Sequence, residues 1–411
     1  MKNLNKKYIV ILILTLILIS MIVALVISEN KTNSNTLSKE SEELNIDVEY
    51  KDEELDTSWK DEEYKDINLS ESMSITNSGT YHLTGTLENG SISVNVGDDD
   101  IVKLVLDNVT ITNLNGPAIN VENAKKVIII LEEGSTNKLV DGETYDVLDE
   151  DINACIYSKD NLIINGSGTL EVTANFEDGI VSKDNIKIIG SNVKVNSKDD
   201  AIKGKDYVLV KDANIEITSK GDGIKSTNDT EEDKGYIVIE NSKTNITADI
   251  DGIQAQTNIK INGGTFEIKA NDDAIHADGM IEINDGDFNI TAIEGIEATY
   301  VKINGGNIKI SASDDGINAG NKSDAYTVTI EINGGNIEIN MGAGDTDGID
   351  SNGNLYINGG TININANSPF DYDGEVKLSG GKLIVNGEET TTITNQFMGG
   401  GMQQGGMQRM R

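Results

Sequence analysis

One short motif, an acidic residue followed by glycine or alanine and then isoleucine, occurs eight times from residue 178 onward. Successive acidic positions are separated by 22, 22, 29, 22, 21, 21 and 32 residues. The two longest intervals contain polar insertions, at 227–234 and 320–325, which we expect to project as loops. Because a repeat of about 22 residues cannot bury its own apolar face, it must stack on its neighbours. The period therefore predicts a solenoid. We name these motifs corners, and their acidic residues are Asp178, Asp200, Asp222, Asp251, Asp273, Glu294, Asp315 and Asp347.

A second motif separates the corners in the later repeats. Turns of the type Ile261-Asn-Gly-Gly264 are followed by alternating segments such as Thr265–Ala270. Each repeat thus contains three short strands and three turns, which is typical of a parallel β-helix rung. The predicted fold class is all-β, a right-handed single-stranded parallel β-helix with about a dozen rungs of roughly 22 residues. We also expect the turn asparagines to stack in a ladder of amide hydrogen bonds.

Composition divides the remaining chain. Lysines precede an apolar run, Tyr8–Ile27, that is long enough to span a bilayer, so residues 1–27 are predicted to be a membrane anchor with the rest of the chain outside the cell. A cleaved signal peptide is the alternative. Residues 28–66 are predicted to be an acidic, disordered spacer, although the later part could still pack as an edge. Residues 67–390 are predicted to form the β-helix, and residues 391–411 a disordered tail rich in glycine and methionine.

The net charge of −36 makes nucleic acid a poor partner, because the phosphate backbone would be repelled. The corner acids are also expected to repel one another. Stacked about 4.8 Å apart, neighbouring carboxylates would repel by about 1 kcal/mol in water and by roughly 3–4 kcal/mol at an effective dielectric constant of 20. A hard cation would relieve this repulsion, and oxygen ligands favour Ca²⁺.

Calcium is therefore the predicted cofactor, although the acids could instead serve as turn residues that cap their own backbone. Glycine gives way to alanine in two corners whereas the acid always remains, which favours the metal. Three further acids precede corners directly. The candidate calcium ligands are Asp178, Asp199, Asp200, Asp222, Asp251, Asp272, Asp273, Glu294, Asp314, Asp315 and Asp347.

Several segments resemble a known family. The stretch Tyr157–Leu170, the corners, Gly221–Asn228 and the Ile-Asn-Gly-Gly turns are similar to a family of bacterial cell-surface carbohydrate-binding proteins. The resemblance covers about Ile67 to Gly387 and the tail. It implies a calcium-binding β-helix like that of pectate lyases and other polysaccharide lyases, and a non-catalytic role in binding cellulose and acidic plant sugars.

The residues themselves leave three functions open. A polysaccharide lyase acting on polyuronates needs a base, usually arginine, but the only arginines are Arg409 and Arg411 in the tail. Lysines near the corners, Lys203, Lys205 and Lys225, are expected on a solvated face, and His276 is expected to be structural or to lie at the surface. A binder of plant or cell-wall polysaccharide is favoured, with an acidic glycan bridged by calcium preferred over uncharged cellulose because aromatic residues are sparse. A stalk or adhesin that binds protein is the third possibility.

Overall fold

The computed structural model describes residues 42–395, except 147, 148, 150, 344 and 345. Residues from Ile46 onward form one compact unit, which in its described part is all-β apart from one four-residue helix. The elements are α1 (Asp52–Leu55), β1 (Tyr64–Leu69), β2 (Met73–Ile75), β3 (Gly79–Leu87), β4 (Ile92–Asn95), β5 (Ile101–Leu106), β6 (Thr110–Asn113), β7 (Ile119–Asn123), β8 (Lys126–Leu131), β9 (Thr136–Asp141), β10 (Ala154–Ser158), β11 (Asn161–Asn165), β12 (Thr169–Thr173), β13 (Asp178–Ser182), β14 (Asn185–Ile189), β15 (Asn192–Asn196), β16 (Ile202–Gly204), β17 (Tyr207–Lys211), β18 (Asn214–Ser219), β19 (Ile224–Ser226), β20 (Tyr236–Ala248), β21 (Ile253–Ala255), β22 (Asn258–Ala270), β23 (Asp273–Ala292), β24 (Glu294–Ile303), β25 (Asn307–Ala312), β26 (Asp315–Ala319), β27 (Thr329–Ile332), β28 (Asn336–Met341), β29 (Asp347–Ser351), β30 (Asn354–Ile357), β31 (Thr361–Asn365), β32 (Ser368–Tyr372), β33 (Val376–Leu378), β34 (Lys382–Val385) and β35 (Glu388–Thr390).

The strands pair in parallel with the equivalent strands of the preceding and following repeats. The corner strands form the first stack, β2-β4-β7-β10-β13-β16-β19-β21-β23-β24-β26-β29-β32. The next strand of each repeat belongs to a second stack, which includes β5, β8, β11, β14 and β17. The last belongs to a third, which includes β9, β12, β15 and β18. Antiparallel pairing occurs between β34 and β35. The expectation of an all-β protein with parallel strands is therefore confirmed.

The corner isoleucines form the centre of the core. Ile180, Ile202 and Ile224 are register partners along the first stack, and all three are fully buried. Stacking identical β-branched side chains fills the interior evenly at every repeat, which explains why isoleucine returns at this position. Phe266 and Phe288 extend the same principle to the third stack, with parallel rings whose centroids are 4.5 Å apart.

The turn asparagines form the predicted ladder. Asn284 Nδ2 donates to Asn262 Oδ1 at 2.8 Å, and the same bond recurs from Asn304 to Asn284 and from Asn333 to Asn304. The second glycine of each turn has a positive φ, and a Cβ at Gly264 would lie 2.3 Å from the carbonyl oxygen of Ser242. Glycine is required there because rung backbones approach too closely for a side chain.

Residues 46–63, which we name the N-terminal strap, correct the expectation of a solvated spacer. The strap lies across the outer face of the second stack, where Trp59 packs on an apolar cluster that includes Ile128 and Ile163. The strap also explains the continuous apolar run in β8. This strand is buried on one face by the core and on the other by the strap. Acidic composition alone does not indicate this packing, because it does not reveal that lysines of the second stack pair with Glu53, Glu54 and Glu62.

The predicted anchor, Tyr8–Ile27, the spacer up to residue 41 and the tail beyond residue 395 lie outside the described residues. Within the described part of the chain, the structure contains no helix of the length and apolarity needed to cross a bilayer. The anchor therefore stays a prediction.

Candidate functional site

The corner acids lie in one column along the first stack, linked by hydrogen bonds. The Oδ1 atom of Asp178 accepts the backbone N–H of Asp200 at 3.0 Å, and Asp200 accepts the N–H of Asp222 at 2.9 Å. The pattern continues in the next two repeats. Asp222 Oδ1 accepts the backbone N–H of Asp251 at 2.9 Å, and Asp251 Oδ1 accepts that of Asp273 at 3.0 Å. Each carboxylate therefore satisfies a buried donor of the next repeat, a role in which alanine could not replace it.

A second column flanks the first. It consists of the residues three positions after each corner acid, together with Asp371, which is the register partner of Asp350 in the next repeat. We name it the flanking column. Its charge changes from positive to negative toward the C-terminal end. The members are Val181, Lys203, Lys225, Gln254, His276, Glu297, Asn318, Asp350 and Asp371.

Lysines of the flanking column neutralise the first corner acids. Lys203 Nζ lies 2.7 Å from Asp200 Oδ2 and 3.1 Å from Asp178 Oδ2, and Lys225 Nζ lies 2.6 Å from Asp222 Oδ2. Burial acts to lower the pKa of Lys225, but the carboxylates of Asp200 and Asp222 outweigh it and raise the pKa. These lysines remain charged at neutral pH, so the early corner acids have cationic partners without any metal, and neither lysine is suited to act as a base.

His276 takes the same role in the middle of the stack. Its Nδ1 lies 3.0 Å from Asp273 Oδ2 and 3.4 Å from Asp251 Oδ2. Burial opposes the charged ring, but hydrogen bonds to Asp251, Asp273 and Asp278 outweigh it and raise the pKa of His276 to about 12. In this protonated state the histidine acts as a counter-ion for two corner acids.

Carboxylates accumulate at the C-terminal end of both columns. Burial, with the carboxylates of Asp350 and Glu294, raises the pKa of Asp315 to about 8. Burial, with those of Asp371 and Asp347, raises the pKa of Asp350 to about 7. The folded protein therefore holds a cluster of acids that resist simultaneous ionisation in the absence of a cation.

Asn318 adds an amide group between these acids. Its Nδ2 donates to Glu294 Oε2 at 2.9 Å and to Glu297 Oε1 at 3.2 Å. Its Oδ1 is buried and has no hydrogen-bond partner among the described residues. Carboxylate and amide oxygens are the ligands that hard divalent cations take, so the chemistry of this end suits Ca²⁺ better than the lysine-rich end does.

Three groups of acids, or of acids with histidine, bring one potential donor atom each to within 4.8 Å of the others. They are Asp178 with Asp199 and Asp200, Asp251 with Asp273 and His276, and Asp273 with Glu294 and Glu297. Lys203 pairs with two acids of the first group, and His276 belongs to the second. The third consists of carboxylates alone and lies next to Asn318, although its Asp273 also pairs with His276 and its Glu297 with Lys322.

The acids that directly precede corners take less part in the two columns than the corner acids do. The backbone N–H groups of Asp199, Asp272 and Asp314 donate to carbonyl oxygens of the preceding repeat, and Asp272 and Asp314 are exposed. The sequence interpretation in turn omitted Glu297, Asp350 and Asp371. Comparing the repeats three residues after each corner would have found Glu297 and Asp350, and the register of the following repeat adds Asp371.

Comparisons with known proteins relate the chain to one family. The model of a family described as "Carbohydrate-binding domain-containing protein" matches residues 70–273 and 270–396. A protein of the same description from Acetivibrio thermocellus is 42% identical over 135 residues, which are 32% of this chain and 47% of that protein. The chain thus matches about half the length of this relative. A solved structure described as the polysaccharide lyase-like protein from C. thermocellum, a gadolinium derivative, aligns with 79% of this chain and 94% of that chain, at 25% identity and a TM-score of 0.30.

Proposed function

This chain belongs to the carbohydrate-binding domain-containing family, and on that premise we propose that it is a non-catalytic, calcium-dependent polysaccharide-binding protein of the cell surface. The family assignment carries the proposal, because the matched residues, 70–273 and 270–396, include every corner and both insertions. A plant or cell-wall polysaccharide is a repetitive polymer, and a repetitive protein can hold it through many weak contacts at high effective concentration.

The proposed fold is the right-handed single-stranded parallel β-helix. The pairing of each strand with those one repeat before and after supports a continuous coil. The right-handed sense is proposed because crossover connections between parallel strands take that hand almost without exception.

The proposed calcium site lies at the C-terminal end of the two columns, where Glu294, Asp315, Asp347 and Asp350 would hold the ion with the Asn318 carbonyl. The raised pKa values of Asp315 and Asp350 and the buried Oδ1 of Asn318 support this choice. Bound there, Ca²⁺ would supply the positive charge that these rungs lack and that lysines supply to the early ones.

Removing calcium is expected to lower the melting temperature, since an ion that binds only the folded form stabilises by about 2.7 kcal/mol at a hundredfold excess over its Kd. Asp315→Asn should abolish most of the calcium increment and raise the melting temperature in chelator, because it relieves repulsion worth about 1 kcal/mol. Thermal unfolding followed by circular dichroism, with calcium and with chelator, measures both effects.

The matched control is Asp222→Asn, a corner acid beside Lys225, which should keep the full calcium increment. If Asp315→Asn instead lowers the melting temperature in chelator and retains the increment, the late acids are turn residues and calcium binds elsewhere.

The non-catalytic assignment rests on the absence of a suitable base near the described corner acids. Arg409 and Arg411 lie outside the described residues, and Lys203 and Lys225 are held as ion pairs. Incubation with polygalacturonate and calcium should give no ultraviolet absorbance from unsaturated products, and formation of such products would favour the lyase alternative.

Retention of the whole chain on immobilised polysaccharides, with calcium and with chelator, tests the binding itself. We expect retention that chelator weakens. A chain retained on no polysaccharide would support the stalk or adhesin alternative. Attachment to the membrane through residues 1–27 is part of the proposal, and N-terminal sequencing of cell-derived protein that starts near residue 28 would exclude it.

A further inference from the structure

The two insertions that interrupt the repeat border one cleft. The first, 227–234, follows β19, and the second, 320–325, follows β26, so both leave the first stack at the same point of their repeats. Together with residues of the repeats between them they enclose about 850 Å³. The floor consists of Gln256–Asn258 and Asp278–Gly279, where the intervening repeats turn without an insertion.

We infer that this cleft is the glycan-binding site and that it takes an uncharged segment of a polysaccharide. The inference rests on the proposed carbohydrate-binding function and adds to it the place and the class of ligand. A concave site with a few converging polar groups beside an aromatic wall is the usual form of a small-molecule or oligosaccharide site.

The first wall is fixed by Asn228, which is 1% exposed. Its Oδ1 accepts the backbone N–H of Thr230 at 3.0 Å and that of Glu231 at 3.1 Å, and its Nδ2 donates to Asp206 Oδ1 at 2.7 Å. A loop held by its own buried side chain loses little conformational entropy when a ligand binds.

The second wall is fixed by Thr299, which is fully buried. Its Oγ1 accepts the backbone N–H groups of Lys322 at 3.0 Å and Ser323 at 2.9 Å, and donates to the carbonyl oxygen of Asp278 at 2.7 Å. This threonine therefore ties the second insertion to the floor of the cleft, so both walls are formed before a ligand arrives.

Tyr326, at the end of the second insertion, supplies the aromatic wall. Its ring lies so close to the floor that a Cβ on Gly279 would be 3.0 Å from Tyr326 Cε2. The Tyr300 ring supports it in an edge-on contact, with centroids 6.4 Å apart and planes inclined by 64°. A half-buried ring held in this way offers its electron-rich surface to the C–H groups of a sugar ring.

The polar lining selects against an acidic sugar. The residues that line the cleft carry five carboxylates and one ammonium, that of Lys322, whose Nζ is already paired with Glu297 Oε1 at 2.7 Å. One of the five, Glu231, pairs with Lys234 at 2.8 Å. A uronate would be repelled by these acids, whereas sugar hydroxyls can donate hydrogen bonds to them. The five are Asp229, Glu231, Glu232, Asp278 and Asp324.

The test measures binding of the whole chain to hydroxyethylcellulose and to polygalacturonate by affinity electrophoresis. Tyr326→Ala should weaken binding to hydroxyethylcellulose by about tenfold, from loss of one stacked ring, while Tyr326→Phe keeps most of it. Tyr356→Ala, a tyrosine of the second stack outside the cleft, is the matched control and should bind normally.

Two exposed acids test the selection by charge without touching the core. Glu232→Lys combined with Asp324→Lys should leave hydroxyethylcellulose binding within about twofold and strengthen polygalacturonate binding by about tenfold. If the wild-type chain binds polysaccharide and Tyr326→Ala binds equally well, the cleft is the wrong site and the proposed function stands. If Tyr326→Ala weakens polygalacturonate binding instead, the class of ligand is wrong. If the wild-type chain binds neither polymer nor any other glycan, the proposed function and this inference both fail.

Discussion

Replacing Glu54 with alanine is expected to detach the N-terminal strap, at a cost of about 3–5 kcal/mol, because two buried lysines lose their shared partner. Glu54 is 2% exposed, Lys187 Nζ lies 2.7 Å from its Oε2, and Lys126 Nζ bonds its Oε1. Burial acts to raise the pKa of Glu54, but hydrogen bonds from Lys126, Lys187 and the Lys51 backbone outweigh it and hold the pKa below its ordinary value.

Trp59 gives this prediction a direct measurement, since it is the single tryptophan of the chain. Its ring stacks on His82 with centroids 4.4 Å apart, and its Nε1 donates to Glu132 Oε2 at 2.7 Å. In Glu54→Ala, tryptophan fluorescence should shift to the red at a denaturant concentration at which circular dichroism still reports intact strands.

Glu53→Ala is the matched control, because the side chain of this neighbour is partly exposed and pairs with one lysine, Lys126, at 3.2 Å. It should cost less than about 1 kcal/mol. A combined Glu54→Leu, Lys126→Met and Lys187→Met variant should recover most of the strap stability, since an apolar cluster can replace a buried ion network. Equal stability of Glu54→Ala and Glu53→Ala would mean that contacts other than the Glu54 ion network, such as the packing of Trp59, hold the strap.

The spacing of the corners was enough to predict the stacking of the chain, because register is fixed wherever a period places the same side chain inside. The isoleucines after Asp200 and Asp222 are register partners, as are those after Asp273 and Glu294. The hydrogen-bond ladder of the turn asparagines followed from the same logic.

The strap and the cleft could not be predicted, because both depend on contacts between segments far apart in sequence. Glu54 and Lys187 are separated by 133 residues, and nothing in either local pattern indicates the other. The flanking column is an intermediate case. Its change from Lys203 to Asp350 is visible in the repeats, but the importance of the position appears only once the side chains are seen to contact the corner acids.

A second large loss of stability is expected on replacing Asp222, a member of the hydrogen-bonded ladder of corner acids. Its Oδ1 accepts the N–H of Asp251 at 2.9 Å and its Oδ2 pairs with Lys225 at 2.6 Å. Asp222→Ala leaves a buried backbone donor without its acceptor and is expected to cost about 3 kcal/mol. Asp222→Asn keeps an oxygen for that donor and loses only the ion pair with the partly exposed Lys225, so it should cost about 1 kcal/mol. Chemical denaturation followed by circular dichroism measures both.

Glu216→Ala controls for loss of an acid as such, because Glu216 and its partner Lys194 are both exposed on the third stack, 3.2 Å apart. That change should cost less than about 1 kcal/mol. The ordering of the three variants separates the possible roles of the column. If alanine and asparagine at position 222 are equally destabilising, the ion pair rather than the ladder stabilises the early rungs. If both are as mild as Glu216→Ala, the corner acids contribute little to stability there, and their recurrence must be explained by binding.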